Sequence, residues 1–249
     1  MKIAISGKGG VGKTTFASHL IQFFAKSGKR IIAIDADPDS NLASSLGFID
    51  SNKIIPISEM NELIEERTGA KPGTSGSIFK LNPKVDDLPE KLWLEKGNIC
   101  LMVMGTVKKG GGGCVCPEST LLKNLIIHLV IYRDDVIVMD MEAGIEHLGR
   151  GTAIGVDVLI VVVEPGRRSI ETALRIKELS NDIGIKKIAV VGNKIRKKKD
   201  KDFICESLAG MDILGFLPFD ENLIDADMMG TPVDDHLSEE INKIIENIK

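Results

Sequence analysis

The sequence of 249 residues is poor in aromatic residues, in cysteine and in long apolar runs, and its charges nearly balance. Its aromatic side chains (eight Phe, one Trp and one Tyr) are too few for the stacking platforms of proteins that bind single-stranded nucleic acid. Four cysteines are too few for a disulfide-stapled secreted scaffold. A net charge of −4 argues against wholesale electrostatic binding of nucleic acid, although it leaves room for a local basic patch.

The longest apolar runs, at 99–104 and 158–163, are far shorter than the roughly 20 residues of a membrane-spanning helix. The apolar stretch near the N-terminus is also too short for the core of a signal peptide. Because 43% of the residues are hydrophobic, the chain can nevertheless bury a sizeable core. These features predict a soluble, cytoplasmic globular protein that binds neither membranes nor nucleic acid.

Short runs rich in Val and Ile alternate with segments of helical periodicity along the chain. Runs that are apolar at consecutive positions are typical of parallel strands covered on both faces. The alternation predicts an α/β fold with a doubly wound, mostly parallel sheet, whose functional residues lie at the carboxyl ends of the strands. The predicted strands are 2–6, 30–35, 99–104, 135–140, 157–163, 187–192 and 213–217, and the main predicted helices are 14–27, 117–132, 169–182 and 237–248.

The chain shows no internal repeat and no long linker, so we expect a single domain over residues 1–249. Residues 50–96 interrupt the alternation and are interpreted as an insertion, with a helical piece at 57–67 and a turn rich in Gly, Ser and Pro at 71–77. A second irregular stretch, 105–113, ends in four glycines. It leads into a Cys-Val-Cys-Pro sequence, which makes 110–117 a candidate metal-binding loop.

A phosphate-binding motif lies between the first predicted strand and the first predicted helix. Residues 7–15 fit the pattern G-x-x-x-x-G-K-[ST] without a mismatch. Glycine-rich backbone turns successive N–H groups towards phosphates at the positive end of the helix. In this pattern Lys13 bridges the outer phosphates and the Thr14 hydroxyl ligates Mg²⁺. The predicted nucleoside triphosphate site comprises Gly7, Lys8, Gly9, Gly10, Val11, Gly12, Lys13, Thr14 and Thr15.

Acidic residues follow two other predicted strands at the same edge of the sheet. The apolar strand 135–140 ends in Asp140, the Walker B arrangement, in which a carboxylate helps to hold the metal ion. Asp35 and Asp37 follow the second strand. We interpret Asp35 as a simple strand terminator.

Residues that recognise the base are less clearly marked. Asn193 follows the strand 187–192 and is a candidate for reading the adenine edge. The guanine signature Asn-Lys-x-Asp is absent, because Lys194 is followed by Ile195 and Arg196. Pro218, with the phenylalanine that follows it, is a candidate for packing on the base, although an ordinary turn explains this pair equally well.

Lys8 is a second lysine in a loop that ordinarily needs one. The string 7–15 resembles the deviant Walker A motif of the MinD/ParA/nitrogenase iron-protein class of P-loop ATPases. The resemblance implies the P-loop NTPase fold of that class, with ATP or ADP as the nucleotide. It also implies that Lys8 crosses the interface of a homodimer into the partner's active site, where it acts like an arginine finger.

Cys114 and Cys116 are two residues apart, so in an extended segment both thiols face the same side. Pro117 suits the first position of a helix, which makes Cys116 a candidate helix cap. One pair supplies two ligands, whereas soft-metal sites generally have four, and a two-fold dimer would bring four sulfurs together. We favour such a shared metal site, with a redox disulfide and two incidental thiols as the alternatives. Cys100 and Cys205 are interpreted as plain buried residues.

Residues 140–151, read with the Cys-x-Cys-Pro sequence and with the Asp-Ala-Asp-Pro-Asp-Ser sequence of 35–40, resemble CooC-type carbon monoxide dehydrogenase maturation factors. The similarity extends from residue 2 to the region of Pro218. It implies an ATPase that dimerises with nucleotide, binds Ni²⁺ (with Zn²⁺ as the alternative) through both Cys-x-Cys pairs, and serves carbon monoxide dehydrogenase or acetyl-CoA synthase. It also implies that Asp37 orients the attacking water, and that Asp140 and Glu142 form part of a nucleotide-sensing switch.

Two other functions are weighed against this one. A ParA/MinD-type partitioning or positioning ATPase of the membrane-docking kind would carry a basic C-terminal helix. Residues 234–249 instead contain five acids and two lysines, and the stripe Leu237, Ile241, Ile244 and Ile248 is interpreted as core packing. The basic run 194–199 is a possible contact for DNA or an acidic partner, but we favour a solvated loop. An iron–sulfur carrier ATPase is the second alternative. The Cys-x-Cys spacing does not match the cysteine spacing of iron–sulfur proteins in this class, but a cluster that bridges two subunits is not excluded.

Overall fold

The computed structural model describes residues 1–37, 40–73, 78–105, 116–142, 150–223, 231–232 and 237–248. Within them one eight-stranded sheet has the order β3-β4-β2-β5-β1-β6-β7-β8. The strands are β1 Lys2–Gly7, β2 Ile31–Ala36, β3 Leu94–Lys96, β4 Ile99–Val103, β5 Val136–Met141, β6 Val158–Val163, β7 Ile188–Ile195 and β8 Asp212–Pro218. All neighbours pair in parallel except β3 and β4, which are antiparallel. The predicted mostly parallel sheet is therefore confirmed.

Helices cover both faces of this sheet. They are α1 Lys13–Lys26, α2 Leu42–Ser45, α3 Asn61–Thr68, α4 Pro89–Leu92, α5 Pro117–Tyr132, α6 Arg150–Ala153, α7 Arg167–Ile183, α8 Lys198–Ser207 and α9 Ser238–Ile248, with 3₁₀ turns at Ser51–Lys53 and Ile57–Glu59. Alternate residues of the central strands belong to two separate hydrophobic clusters, because side chains along a strand point to opposite faces. Buried side chains of α5, α7 and α8 contribute to one cluster, and those of α1 and α9 to the other.

The predicted insertion contributes to the edge of the sheet and to one of its faces. In its described part (50–73 and 78–96) it forms one strand, β3, which pairs with β4. The helical piece predicted at 57–67 is a 3₁₀ turn followed by α3, whose Ile64 is fully buried. On α3, the Arg67 guanidinium donates two hydrogen bonds of 2.9 Å to the Asp87 carboxylate, which ties α3 to the segment just before α4.

The basic run 194–199 is solvated from Arg196 to Lys199, as favoured from the sequence, but it is not a loop throughout. It covers the end of β7 and the start of α8. The Asp200 carboxylate accepts hydrogen bonds from the backbone N–H groups of Arg196 (2.9 Å) and Lys197 (3.1 Å), which caps the helix. Ile204, fully buried, fixes the inner face of α8. The helix was not predicted from the sequence because it begins with lysines and Ile204 is its only buried residue.

The two cysteines outside the Cys-x-Cys pair differ in their exposure. Cys100 is buried in β4, as expected, but Cys205 is exposed, so the expectation for this residue was wrong. Ile204 takes the inward position on α8 and the next residue therefore points outwards. The stripe on and just before α9 is buried as expected. Within the described part of the chain no helix is long and apolar enough to cross a membrane.

Candidate nucleotide site

The phosphate-binding loop joins β1 to α1 at the carboxyl edge of the sheet. Gly7, Gly10 and Gly12 have φ values of 150°, 76° and 91°, in the region that side chains rarely adopt. At Gly12 a Cβ atom would also lie 2.3 Å from the amide nitrogen of Asn193. The chain therefore needs glycine here for two reasons, the backbone angle and the close approach of another strand. Val11 is buried below the loop, and Lys13, Thr14 and Thr15 begin the helix.

A hydroxyl and a carboxylate meet at the base of this loop. Ile5 of β1 pairs with Asp140 of β5, and the Thr14 hydroxyl donates a hydrogen bond of 2.6 Å to Asp140 Oδ2. Asp140 is fully buried, and this burial raises the pKa of its carboxyl group to about 7, against the lowering effect of the Thr14 hydrogen bond. Among the described residues no donor reaches Asp140 Oδ1. Hydroxyl and carboxylate oxygens are the ligands and supports that Mg²⁺ uses, so this pair fits the predicted magnesium site.

Lys13 and two acids of the β2 edge lie beside this pair. The Lys13 ammonium, in a side chain only 7% exposed, lies 3.6 Å from Asp37 Oδ2. Asp35 is fully buried and accepts hydrogen bonds from the N–H groups of Leu42 (3.1 Å) and Asp37 (3.3 Å). Burial raises the pKa of Asp35 to about 7. Asp35 lies one residue before the end of β2, so it does not end the strand; its hydrogen bonds hold the turn to α2 and the backbone of Asp37 near the P-loop lysine.

Lys8 is held by a residue that sequence reasoning missed. Glu164 directly follows β6, and its two carboxylate oxygens lie 3.4 Å from Lys8 Nζ and 3.5 Å from Lys194 Nζ. Lys194 Nζ also donates a hydrogen bond of 2.5 Å to the carbonyl oxygen of Gly10. The only signal in the sequence was the position of Glu164 at the carboxyl end of a central strand. In the single chain this cluster directs Lys8 towards Glu164.

The candidate base-binding residues have other contacts in this structure. The Asn193 amide donates to the carbonyl oxygen of Val11 and accepts from the N–H group of Lys194, both at 2.8 Å, so it braces the loop from β7. Pro218 ends β8, and its register partner is Ile195 of β7. Phe219, the residue after Pro218, lies under the Arg196 guanidinium at 4.1 Å. Recognition of the base by Asn193 and Pro218 remains a prediction.

The cysteine pair lies only partly within the described residues. Cys114 falls outside them, as do residues 143–149 of the motif that follows Asp140. Cys116 is half-buried, and its Sγ accepts a hydrogen bond of 3.5 Å from the N–H group of Ser119, with Pro117 at the first helical position. The expected capping of α5 by Cys116 is confirmed. Within the described residues no group of three or more His, Cys, Asp and Glu side chains is arranged to hold a metal ion.

Comparison with known proteins bears on both the fold and the site. Residues 2–233 match the sequence profile of the CobQ/CobB/MinD/ParA nucleotide binding domain. The chain is 51% identical to an uncharacterized ATP-binding protein of Methanocaldococcus jannaschii over 253 residues, covering 100% of this chain and 97% of that protein. It is 47% identical to the carbon monoxide dehydrogenase accessory protein CooC of Rhodospirillum rubrum, over 92% of this chain and 88% of that protein.

A solved structure has the same fold as this chain. The MinC:MinD cell division protein complex of Aquifex aeolicus contains a chain that superposes with a TM-score of 0.68 at 23% identity, covering 99% of this chain and 93% of that one. The predictions of a P-loop ATPase fold and of ATPase activity, with ATP or ADP and Mg²⁺ as ligands, are confirmed by these matches.

Proposed function

The chain belongs to the CobQ/CobB/MinD/ParA family of nucleotide-binding domains, and from this premise we propose that it is an ATP-driven nickel chaperone. Its client is carbon monoxide dehydrogenase or a related acetyl-CoA synthase. The identity of 47% to CooC over nearly the whole chain supports this client class. The observation that carries the proposal is the Cys116 thiol, held at the N-terminus of α5 two residues from Cys114, in a domain of this ATPase family.

ATP hydrolysis uses the side chains gathered at the P-loop. Lys13 binds the outer phosphates, and Asp37, whose carboxylate lies 3.6 Å from the Lys13 ammonium, orients the water that attacks the γ-phosphate. Thr14 and Asp140 hold Mg²⁺, which neutralises charge on the phosphates when it is bound. Burial raises the pKa of Asp140 to about 7, so its carboxyl group must lose its proton before it supports the metal.

The working unit is a homodimer controlled by nucleotide. In the single chain Lys8 pairs with Glu164 at 3.4 Å and lies where a partner can reach it, since its side chain is 36% exposed. In the ATP-bound dimer Lys8 leaves Glu164 and stabilises the charge that develops on the partner's γ-phosphate. The binding and hydrolysis of ATP then change how the two subunits face each other.

Nickel is the cargo of this cycle. Two Cys-x-Cys pairs, Cys114 and Cys116 from each subunit, provide four thiolate sulfurs across the two-fold axis, a donor set suited to Ni²⁺ and to Zn²⁺. Cys116 is fixed by its hydrogen bond to the first turn of α5, so a rotation of the subunits moves this ligand with the helix. Making or breaking the shared site is therefore coupled to the nucleotide.

The proposal is tested by restoring activity to a nickel-deficient carbon monoxide dehydrogenase. Client activity is measured after incubation with the nickel-loaded chain and MgATP. We expect activation by the native chain, none by a variant with Cys114→Ser and Cys116→Ser, and little by Lys8→Ala, which should bind ATP but hydrolyse it at least tenfold more slowly.

Lys53→Ala is the matched control, because Lys53 is a lysine on the insertion whose side chain is 72% exposed. It should activate the client like the native chain. Activation by free Ni²⁺ alone to the same extent, or full activation by the double cysteine variant, would show that the chain is not the nickel carrier.

A further inference from the structure

An elongated groove of about 670 Å³ runs along the outer edge of β8. The helices α8 and α9 belong to opposite faces of the sheet and form its two walls. Strand β8, from Leu214 to Pro218, forms its floor. Because β8 is the last strand in the described sheet, no neighbouring strand pairs with this edge. We call this feature the β8 groove.

The α8 wall of the β8 groove is strongly basic in a chain whose net charge is −4, whereas the α9 wall carries one lysine and one glutamate. One wall carries Arg196, Lys197, Lys198 and Lys201, and the other carries Lys243, against the single acid Glu240. Two of these cations are positioned over aromatic rings, with Lys201 Nζ 5.4 Å from the Phe216 ring centroid and Arg196 4.1 Å from that of Phe219. Within the described part of the chain none of the lysines of the groove forms an ion pair.

The floor of the groove presents backbone hydrogen-bonding groups. Asn247 of α9 donates a hydrogen bond of 2.7 Å from its side-chain amide to the carbonyl oxygen of Leu214. This contact shows that a carbonyl group at this edge points into the groove and accepts a donor there. This carbonyl is already paired with Asn247, but among the described strands β8 has no neighbour on this side. A strand edge without a neighbour can pair with an added strand, whose side chains then face the walls on either side.

We infer that the β8 groove binds an extended, acidic segment of a partner protein, which adds to the sheet beside β8. The five residues of β8 that form the floor, Leu214 to Pro218, extend over roughly 17 Å, which matches a segment of about five residues in the same conformation. Carboxylates on one face of such a segment lie opposite the basic α8 wall, and those on its other face lie near Lys243. The β8 groove does not include the P-loop, although Pro218, a candidate for packing on the base, lies at one end of its floor. The inference does not rest on the nickel proposal.

The choice of an acidic protein segment over nucleic acid follows from the shape and chemistry of the groove. A single strand of nucleic acid binds by stacking its bases on exposed aromatic rings. In the β8 groove the ring of Phe216 is half-buried and lies close to Lys201, and the chain has only 4% aromatic residues. A strand edge instead offers its N–H and C=O groups to another polypeptide backbone.

The first test measures binding of a fluorescein-labelled nine-residue peptide of alternating Glu and Val by fluorescence anisotropy. We expect saturable binding to the native chain, and a loss of at least tenfold in affinity for Lys201→Glu/Lys243→Glu. The matched control Lys53→Glu/Lys84→Glu changes two lysines whose side chains are each 72% exposed and which lie outside the groove, so its affinity should stay within twofold. Equal weakening by both double variants, or no binding to the native chain, would overturn the inference.

A second pair of probes separates strand addition from simple charge attraction. The same peptide with N-methyl groups on alternate residues keeps its carboxylates but loses the backbone donors of one edge, so we expect at least tenfold weaker binding. Unchanged binding would show that the groove does not pair with a strand. A 20-base-pair DNA duplex that binds more tightly than the peptide, through Lys201 and Lys243, would assign the groove to nucleic acid instead. Circular dichroism and the ATPase rate report whether each variant is folded.

Discussion

Replacing Glu164 by Gln should free Lys8 and make the ATP-bound dimer form more readily. In the single chain Glu164 pairs with Lys8 at 3.4 Å and with Lys194 at 3.5 Å. Glutamine keeps the size of the side chain but removes the charge that attracts both lysines. If Lys8 must leave Glu164 to reach the partner, breaking this pair is a cost of dimerisation that the substitution removes.

The magnitude follows from the exposure of the pair. The side chains of Lys8 and Glu164 are 36% and 29% exposed, so solvent screens them and the pair is worth at most about 1 kcal/mol. One such pair corresponds to about a fivefold change in an equilibrium constant. Each dimer frees two lysines, so the dimerisation constant should rise by up to about 25-fold.

Sedimentation velocity with Mg²⁺ and a non-hydrolysable ATP analogue measures this constant over a range of protein concentrations. Glu171→Gln, on the exposed side of α7, is the control and should leave the constant unchanged. If Glu164→Gln dimerises less readily than the native chain, Glu164 supports the interface rather than restraining Lys8, and the reasoning is refuted.

Three further substitutions test other parts of the structure. Because burial raises the pKa of Asp35 to about 7, the protonated carboxyl stabilises the fold fully below about pH 4, and this contribution is lost by about pH 7. The native chain should therefore lose on the order of 4 kcal/mol of unfolding free energy between about pH 4 and pH 7, and Asp35→Asn should not show this loss. Urea unfolding at several pH values measures this, and an unchanged slope would contradict it. Cys116→Ser keeps an acceptor for the helix cap, so the free energy of unfolding, measured by thermal unfolding, should fall by less than about 1 kcal/mol while nickel binding is lost. A loss of several kcal/mol in the free energy of unfolding would show that the thiol is needed for the fold. Gly12→Ala should weaken ATP binding strongly, because its φ of +91° is strained for a side chain and its Cβ would push aside the Asn193 amide that braces the loop. Gly28→Ala, with φ +78° and no neighbouring atom, should cost about 1–2 kcal/mol and leave ATP binding intact, and equal ATP affinity in the two variants would refute this.

The strands and the P-loop were predictable because their signals are local. Buried parallel strands such as β1, β5 and β6 are apolar at consecutive positions, and their bounds differ from the prediction by only one or two residues. The glycines of the loop are required by backbone angles that the motif itself encodes. Cys116 was recognisable as a cap because Pro117 follows it directly.

The features that were missed depend on tertiary contacts. All three residues of β3 are exposed, so no apolar pattern marks it, and only its pairing with β4 makes it a strand. Helix α8 begins with a run of lysines, and its apolar contacts with the core come only near its end, from Phe203, Ile204 and the capping Leu208. The contact between Lys8 and Glu164 joins residues 156 apart, which no local pattern reveals.

Asn193 has a structural role that no local motif reveals, while its role in reading the base remains a prediction. Its position after a predicted strand indicated a reader of the base. The structure places its amide against the carbonyl oxygen of Val11 at 2.8 Å, so that one strand end braces the loop built by another. The pairing order of the strands decides this contact, and that order is a property of the whole sheet.

The central claim is that two chains share one nickel ion through paired cysteines under the control of nucleotide. Titration of Ni²⁺ into the protein with calorimetry, with molar mass followed by light scattering in the presence of ADP or ATP, tests it directly. The account predicts one Ni²⁺ per dimer, and neither tight binding nor nickel-dependent dimerisation after Cys114→Ser/Cys116→Ser. Tight binding of one Ni²⁺ per monomer, or binding that survives the double substitution, would contradict it.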